Sequence, residues 1–272
     1  LHQYRLVCAI GVAFRDGREC RECHGRDTLP GLVHNCRGRR GESLAYAAGL
    51  AAWQRAILAQ ADVVVVPSRF ARAQLMDFGL PLSDAFVVPN PVPDAACPPG
   101  GGAEPRRGAL VVSRLAPEKG VDVAITACAL AGIPLTIAGD GPESLALQQW
   151  ARSEGGEVEF RGRVSAEELA RLRDRAAVAV VPSRSAETFG LAAAEAMTAG
   201  LPVAASRIGA LPELVPEEWL TPAGDPGQLA AMIRRLAADP QAGARGRELA
   251  RDLTGPPAVA RALRAAYAAA SA

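Results

Sequence analysis

Glu187 and Glu195 lie eight positions apart in AETFGLAAAEAMTAGLPVAAS (186–206), a stretch otherwise made mostly of small apolar residues. Residues 190–199 are rich in Ala, Leu and Met, which favour helix, and Gly200 with Pro202 ends the run. VAVVPS (178–183) reads as a buried strand before it, and PVAAS (202–206) as a strand after it. Glu187 then falls in a loop at the helix N-terminus, and Glu195 about one and a half turns inside the helix. Because an unpaired buried charge is costly, Glu195 needs a partner: hydroxyls of a ligand, or an arginine such as Arg184 or Arg207. The spacing alone supports an ion pair and a ligand site equally.

Three loops carry the residues for binding a diphosphate. VVSRLAPEKG (111–120) sets Arg114 and Lys119 after one strand, and AGDGP (138–142) sets Gly139 and Gly141 after another. SRSAETFG (183–190) sets Glu187 and the amides of Thr188, Phe189 and Gly190 after a third. Ligands of open α/β sheets bind beyond the carboxyl ends of the strands, so the three loops are expected to line one crevice. Two cations and a helix N-terminus suit a diphosphate, with Arg offering a planar fork and Lys a point charge. Taken singly, Arg114 and Lys119 read as a solvated loop and Gly139–Gly141 as a plain turn. Their convergence on one edge favours function. The strand at 109–114 is not followed by GxGxxG, which weighs against a dinucleotide oxidoreductase, and the absence of GxxxxGK[ST] weighs against a P-loop nucleotidase.

These loops need an alternating framework to hold them. Helices are expected at 43–60, 69–79, 119–131, 143–154, 166–176, 226–238, 241–251 and 256–269, and strands at 62–68, 85–90, 109–114, 134–141 and 158–164, besides those around the two glutamates. A short further strand is expected near EWLTP (218–222). Such alternation predicts parallel sheets with helices on both faces. The Pro/Gly-rich stretch 91–108 reads as a linker. VVVVPSRF (63–70) and VAVVPSRS (178–185) form a weak repeat, one per block. Residues 1–90 show two clear strands, so the expectation is that the chain starts partway through a domain, leaving an apolar edge around 60–90 prone to aggregation and a chain inactive by itself. Lys plus Arg total 30 against 29 acidic residues, which argues against nucleic acid. No stretch reaches bilayer-spanning length and no signal-type opening is present, so a cytoplasmic location is expected.

PNPVPD (89–94), VVSRLAPEKGVDVAI (111–125), TIAGDGP (136–142), FRGRVSAEELARL (160–172) and the Glu187–Glu195 segment together resemble the retaining glycosyltransferases of family 4, also called group 1. That resemblance implies an α/β fold of the GT-B type, two doubly wound Rossmann-like domains, the first incomplete. It implies a partial acceptor-side domain at 1–93, a nucleotide-sugar donor domain at 94–255, and a helix at 256–272 crossing back. It implies transfer of a sugar from a nucleotide diphosphate sugar, with retention and without metal or other catalytic cofactor. Glu187 would contact the donor sugar, Glu195 the ribose hydroxyls, and Arg114 with Lys119 the departing diphosphate. Ser113, Gly139, Gly141, Arg163, Val164, Thr188, Phe189, Gly190 and Leu191 would complete the donor site. LHQY (1–4) resembles a family segment whose histidine faces the sugar, matching His2, with Gln3 in place of the usual Asp. A glycan or lipid-linked acceptor is implied, with peripheral association at the inner membrane face. A non-catalytic nucleotide-sugar-binding module and a GT-B-like sugar-nucleotide epimerase are the alternatives.

Cys8, Cys20, Cys23 and Cys36 cluster within 29 residues, with His24 and His34 among them. The single CxxC and long flanking gaps leave two readings open, a structural zinc staple on these four cysteines or free reduced thiols. Disulfides do not suit a cytosolic protein. Cys97 and Cys128 read as unrelated.

Overall fold

A computed structural model describes residues 1–93 and 106–271. The first block holds β1 (Phe14–Arg15), β2 (Arg18–Glu19), α1 (Leu29–Val33), α2 (Arg40–Ala59), β3 (Val65–Val66), α3 (Arg69–Asp77) and β4 (Phe86–Val87). The second alternates strictly at first: β5 (Ala109–Val112), α4 (Val121–Ala131), β6 (Leu135–Ala138), α5 (Ser144–Glu154), β7 (Val158–Gly162), α6 (Ala166–Arg175), β8 (Val178–Val181), α7 (Leu191–Thr198) and β9 (Val203–Ser206). It ends with α8 (Leu211–Leu214), β10 (Leu220–Thr221), α9 (Pro226–Ala237), α10 (Ala242–Thr254) and α11 (Pro256–Ala270).

The six strands of the second block form one parallel sheet in the order β7-β6-β5-β8-β9-β10. Numbered within the block this is 3-2-1-4-5-6, the doubly wound order, and its switch point lies between β5 and β8. Strands covered by helices on both faces must be apolar throughout. Accordingly every residue of β8 and β9 is buried. Helix starts follow local chemistry. Ser165 accepts from the Glu168 amide at 3.1 Å and Asp225 from that of Gln228 at 2.9 Å, each satisfying a free N-terminal donor. In α7, Ala193, Ala194, Ala196 and Met197 are all buried, and α10 packs directly on it. Small residues on all sides allow that close approach.

The first block has its own apolar cluster, including Tyr4, Val66, Leu75 and Phe78. Its parallel sheet is β3 with β4, shorter than the runs 62–68 and 85–90 expected from composition. The backbone nitrogen of Leu1 donates to the Val65 carbonyl at 2.5 Å, on the opposite side of β3 from β4. Val66 is fully buried and Val63, Val64 and Val65 are half-buried. Val92 joins the larger core of the second block, and α11 lies against β4. Residues 94–105, with Cys97 and much of the expected linker, lie outside the described residues.

Candidate functional site

The loop after β5 is the hub of the site. On one side it meets the loop after β6. The Ser113 amide donates to Ala138 at 3.1 Å, and the Leu115 amide to Asp140 at 3.0 Å. A β-carbon on Gly139 (φ 141°) would lie 1.8 Å from the Ser113 carbonyl oxygen, and one on Gly141 2.2 Å from that of Leu115. No side chain fits there. At Gly139 and Gly141 two backbones thus approach closely, which the reading of these glycines as a plain turn does not require. On the other side the same loop meets the one after β8. The amides of Arg184 and Ser185 donate to the Glu118 carbonyl at 2.9 and 3.2 Å. Gly120, at φ 62°, leaves room for the Pro182 carbonyl.

Across the β5/β8 switch point, Lys119 Nζ donates to Glu187 Oε1 at 2.6 Å. The buried Ser183 donates its Oγ to the same oxygen at 2.7 Å. Backbone contacts fix the position of Glu187: its carbonyl accepts from Ala210 at 2.8 Å, and a β-carbon on Gly209 would meet its amide at 2.3 Å. Among the described residues, no protein acceptor meets the amides of Thr188, Phe189, Gly190, Leu191 and Ala192. These open donors face the N-terminal end of α7, a suitable seat for an anion. The Phe189 side chain is buried, so only its backbone is available. Arg114 is exposed and forms no ion pair among the described residues. Arg163 is exposed too, 4.0 Å from Asp140. Hydrogen bonds from Ser144 and the Gly141 amide hold the Asp140 carboxyl below its usual range.

The sequence of the second block matches the family of group 1 glycosyl transferases over residues 100–253, more than half of the chain. The chain belongs to the group 1 glycosyl transferases. Residues 2–96 match the companion Glycosyltransferase Family 4 domain. Glycogen synthase of Mycobacterium tuberculosis is 38% identical over 187 residues, covering 64% of this chain and 45% of that protein. D-inositol 3-phosphate glycosyltransferase of Acidothermus cellulolyticus is 32% identical over 217 residues, covering 67% and 48%. The chain spans about half the length of these curated relatives. Among solved structures, Anabaena Alr3699/HepE in complex with UDP and glucose superposes with a TM-score of 0.70 at 21% identity, covering 86% of this chain and 68% of that one. Sucrose-phosphate synthase from Thermosynechococcus elongatus gives 0.66 at 26% identity, covering 89% and 65%. The fold is that of the GT-B glycosyltransferases.

The arginine partners suggested by sequence are corrected by the geometry. Arg184 pairs with Asp122 at 2.5 Å and Arg207 with Glu217. The partner of Glu195 is instead Arg173, from the last turn of α6. The first block also reaches this crevice. Thr188 Oγ1 donates to the His2 carbonyl at 3.0 Å, and Ser68 Oγ to the Thr188 carbonyl at 2.7 Å. His2 thus stands beside the loop that carries Glu187, with its side chain exposed. The buried Tyr4 hydroxyl donates to the Ala186 carbonyl at 3.3 Å. Burial, then the Glu19 and Glu187 charges, push that phenol above its ordinary range. Glu213 accepts from the amides of Arg69 and Phe70 at 3.1 and 2.6 Å, binding the N-terminus of α3 to the second block.

Sequence reasoning missed Ser183, Arg173, Tyr4, Ser68 and Glu213. Only the serines carried a signal, since Ser68 and Ser183 occupy the same place in the two PSR repeats. Cys8, Cys20, Cys23, Cys36 and Cys128 are free thiols. Among the described residues, no three His, Cys, Asp or Glu side chains are gathered as metal ligands. Burial raises the Cys23 and Cys36 thiols. Among the described residues, no helix is long and apolar enough to cross a membrane.

Proposed function

We propose that the crevice at the β5/β8 switch point binds a nucleoside diphosphate sugar, and that the chain supplies the donor half of a retaining sugar transfer. The observation that carries this reading is Lys119 meeting Glu187 across the switch point, beside the open amides at the start of α7. The amides and Lys119, with Arg114 at the rim, neutralise the charge that grows on the departing diphosphate. Such interactions lower the barrier because they strengthen as the glycosidic bond breaks. With that charge met by side chains and amides, the step proceeds without a metal. Glu187 orients the sugar and stabilises positive character at the anomeric carbon, and the acceptor attacks from the leaving-group face, so configuration is retained. Glu195 holds the ribose. His2 faces the sugar from the first block, and the acceptor is a glycan or lipid-linked hydroxyl compound.

Calorimetry of the 272-residue chain with UDP, GDP, ADP and TDP, with and without EDTA, tests this reading. UDP goes first, since the HepE complex contains it. At least one diphosphate is expected to bind, with EDTA making no difference. Binding of none would remove the crevice assignment.

A further inference from the structure

Arg173 is the only charged residue in the buried set among the described residues, with 6% of its surface exposed. A guanidinium is not placed there without reason, since buried charge must be paired. Its Nη2 donates to Glu195 Oε2, while its Nε finds no partner among the described residues. A buried unsatisfied N–H is a cost, and a straight apolar side chain would avoid it. What the arrangement gains is a fixed carboxylate. Glutamate has three side-chain torsions to lose on binding, and α7 offers it only alanines and a methionine on either side. Arg173 has already taken up that freedom. Glu195 keeps one third of its side chain accessible, and no other described group bonds its carboxylate. Oε1 is open, and Oε2 retains a second lone pair.

We propose that Arg173 is a positioning residue that holds Glu195 as a preset acceptor for the two vicinal hydroxyls of ribose, so that the site selects ribonucleoside over 2′-deoxyribonucleoside diphosphates. This rests on the donor-site reading above. A hydroxyl donated to an ionised acceptor discriminates strongly, because its loss leaves the charge facing nothing. An acceptor that must first be ordered discriminates less.

The test compares Kd for UDP and 2′-deoxy-UDP, with the ADP and GDP pairs alongside, in the wild type, Arg173→Met, Arg173→Lys and Glu195→Gln. The wild type is expected to prefer the ribonucleotide by about tenfold or more, and Arg173→Met by about threefold or less. Inorganic pyrophosphate should bind both equally, since it does not reach Glu195. Arg173→Lys keeps the charge in place, guards against a variant that fails to fold, and should fall between the two. A purely structural ion pair would lower the melting temperature of Arg173→Met and leave the ribose-to-deoxyribose ratio unchanged, overturning the proposal. A ratio lost in Glu195→Gln but kept in both Arg173 variants would overturn it while sparing the donor site. Failure of the wild type to bind any diphosphate would remove both.

Discussion

In the free protein, Lys119 is already engaged with Glu187, so ligand binding is a competition for its ammonium group. The pair is 2.6 Å long, with side-chain exposures of 29% and 18%. Solvent screening at that exposure leaves it about 0.5–1 kcal/mol. A charged hydrogen bond from Lys119 to a diphosphate is worth about 1.5–3 kcal/mol. Lys119→Ala therefore loses about 1–2 kcal/mol net, or about 5–30-fold in UDP affinity. Glu187→Gln should do the opposite. It keeps an oxygen for Ser183 Oγ but releases the lysine, so UDP should bind about two- to fivefold tighter. Calorimetry on both variants measures the two effects, with urea denaturation checking that each is folded. The reasoning fails if Glu187→Gln weakens UDP, or if Lys119→Ala changes its affinity by less than about twofold.

Further outcomes follow from the same geometry. Gly139→Ala places a β-carbon 1.8 Å from a backbone oxygen at φ 141°, so urea denaturation should show a loss of at least about 2 kcal/mol; a loss under about 1 kcal/mol would deny the close approach of the β5 and β6 loops. Glu213→Ala removes the acceptor at the start of α3 and should cost about 1 kcal/mol in thermal unfolding, while UDP affinity stays within about twofold; an unchanged melting temperature would show that this contact does not join the blocks. In the cysteine loop, separate thiols should alkylate and elemental analysis should find no stoichiometric zinc, whereas about one zinc per chain, lost on Cys20→Ser or Cys23→Ser, would establish the staple. Cys128, whose thiol burial pushes up to about 12, should stay unmodified by iodoacetamide at pH 8 until the chain unfolds.

The second block was legible because its signals are local. Runs such as VAVVPS, glycine stops and serine caps specify strand, helix and turn within a few residues, and the short strand expected near 218–222 is β10. Gly139 and Gly141 could be placed at the strand ends from the strand that precedes them, but the close backbone approach that requires glycine there was visible only in the structure. Ion pairs were not legible. Arg184 and Arg207 are near Glu195 in sequence, yet Arg173 reaches it, from the last turn of the helix that leads into β8. No spacing rule encodes that. The first block resisted for a further reason. β1, β2 and α1 are short and irregular, and Ala13, Asp16 and Asn35 take positive φ there, so neither a period of two nor one of 3.6 develops.

The PSR repeat acquires its meaning only at the level of packing. Each copy follows a strand; in the first Ser68 caps α3, and in the second Ser183 opens the loop before α7. Ser68 and Ser183 then approach the 186–190 loop from opposite walls, one donating to the Thr188 carbonyl and the other to the Glu187 carboxylate. Tyr4 and His2 add two more bonds from the first wall, at Ala186 and Thr188. The backbone on both sides of Glu187 is thus held from across the crevice, while its carboxylate is held from within the second block. A change in the separation of the blocks must pull on the residues flanking Glu187 before it reaches Lys119. The two blocks are therefore joined at the five-residue loop that carries Glu187.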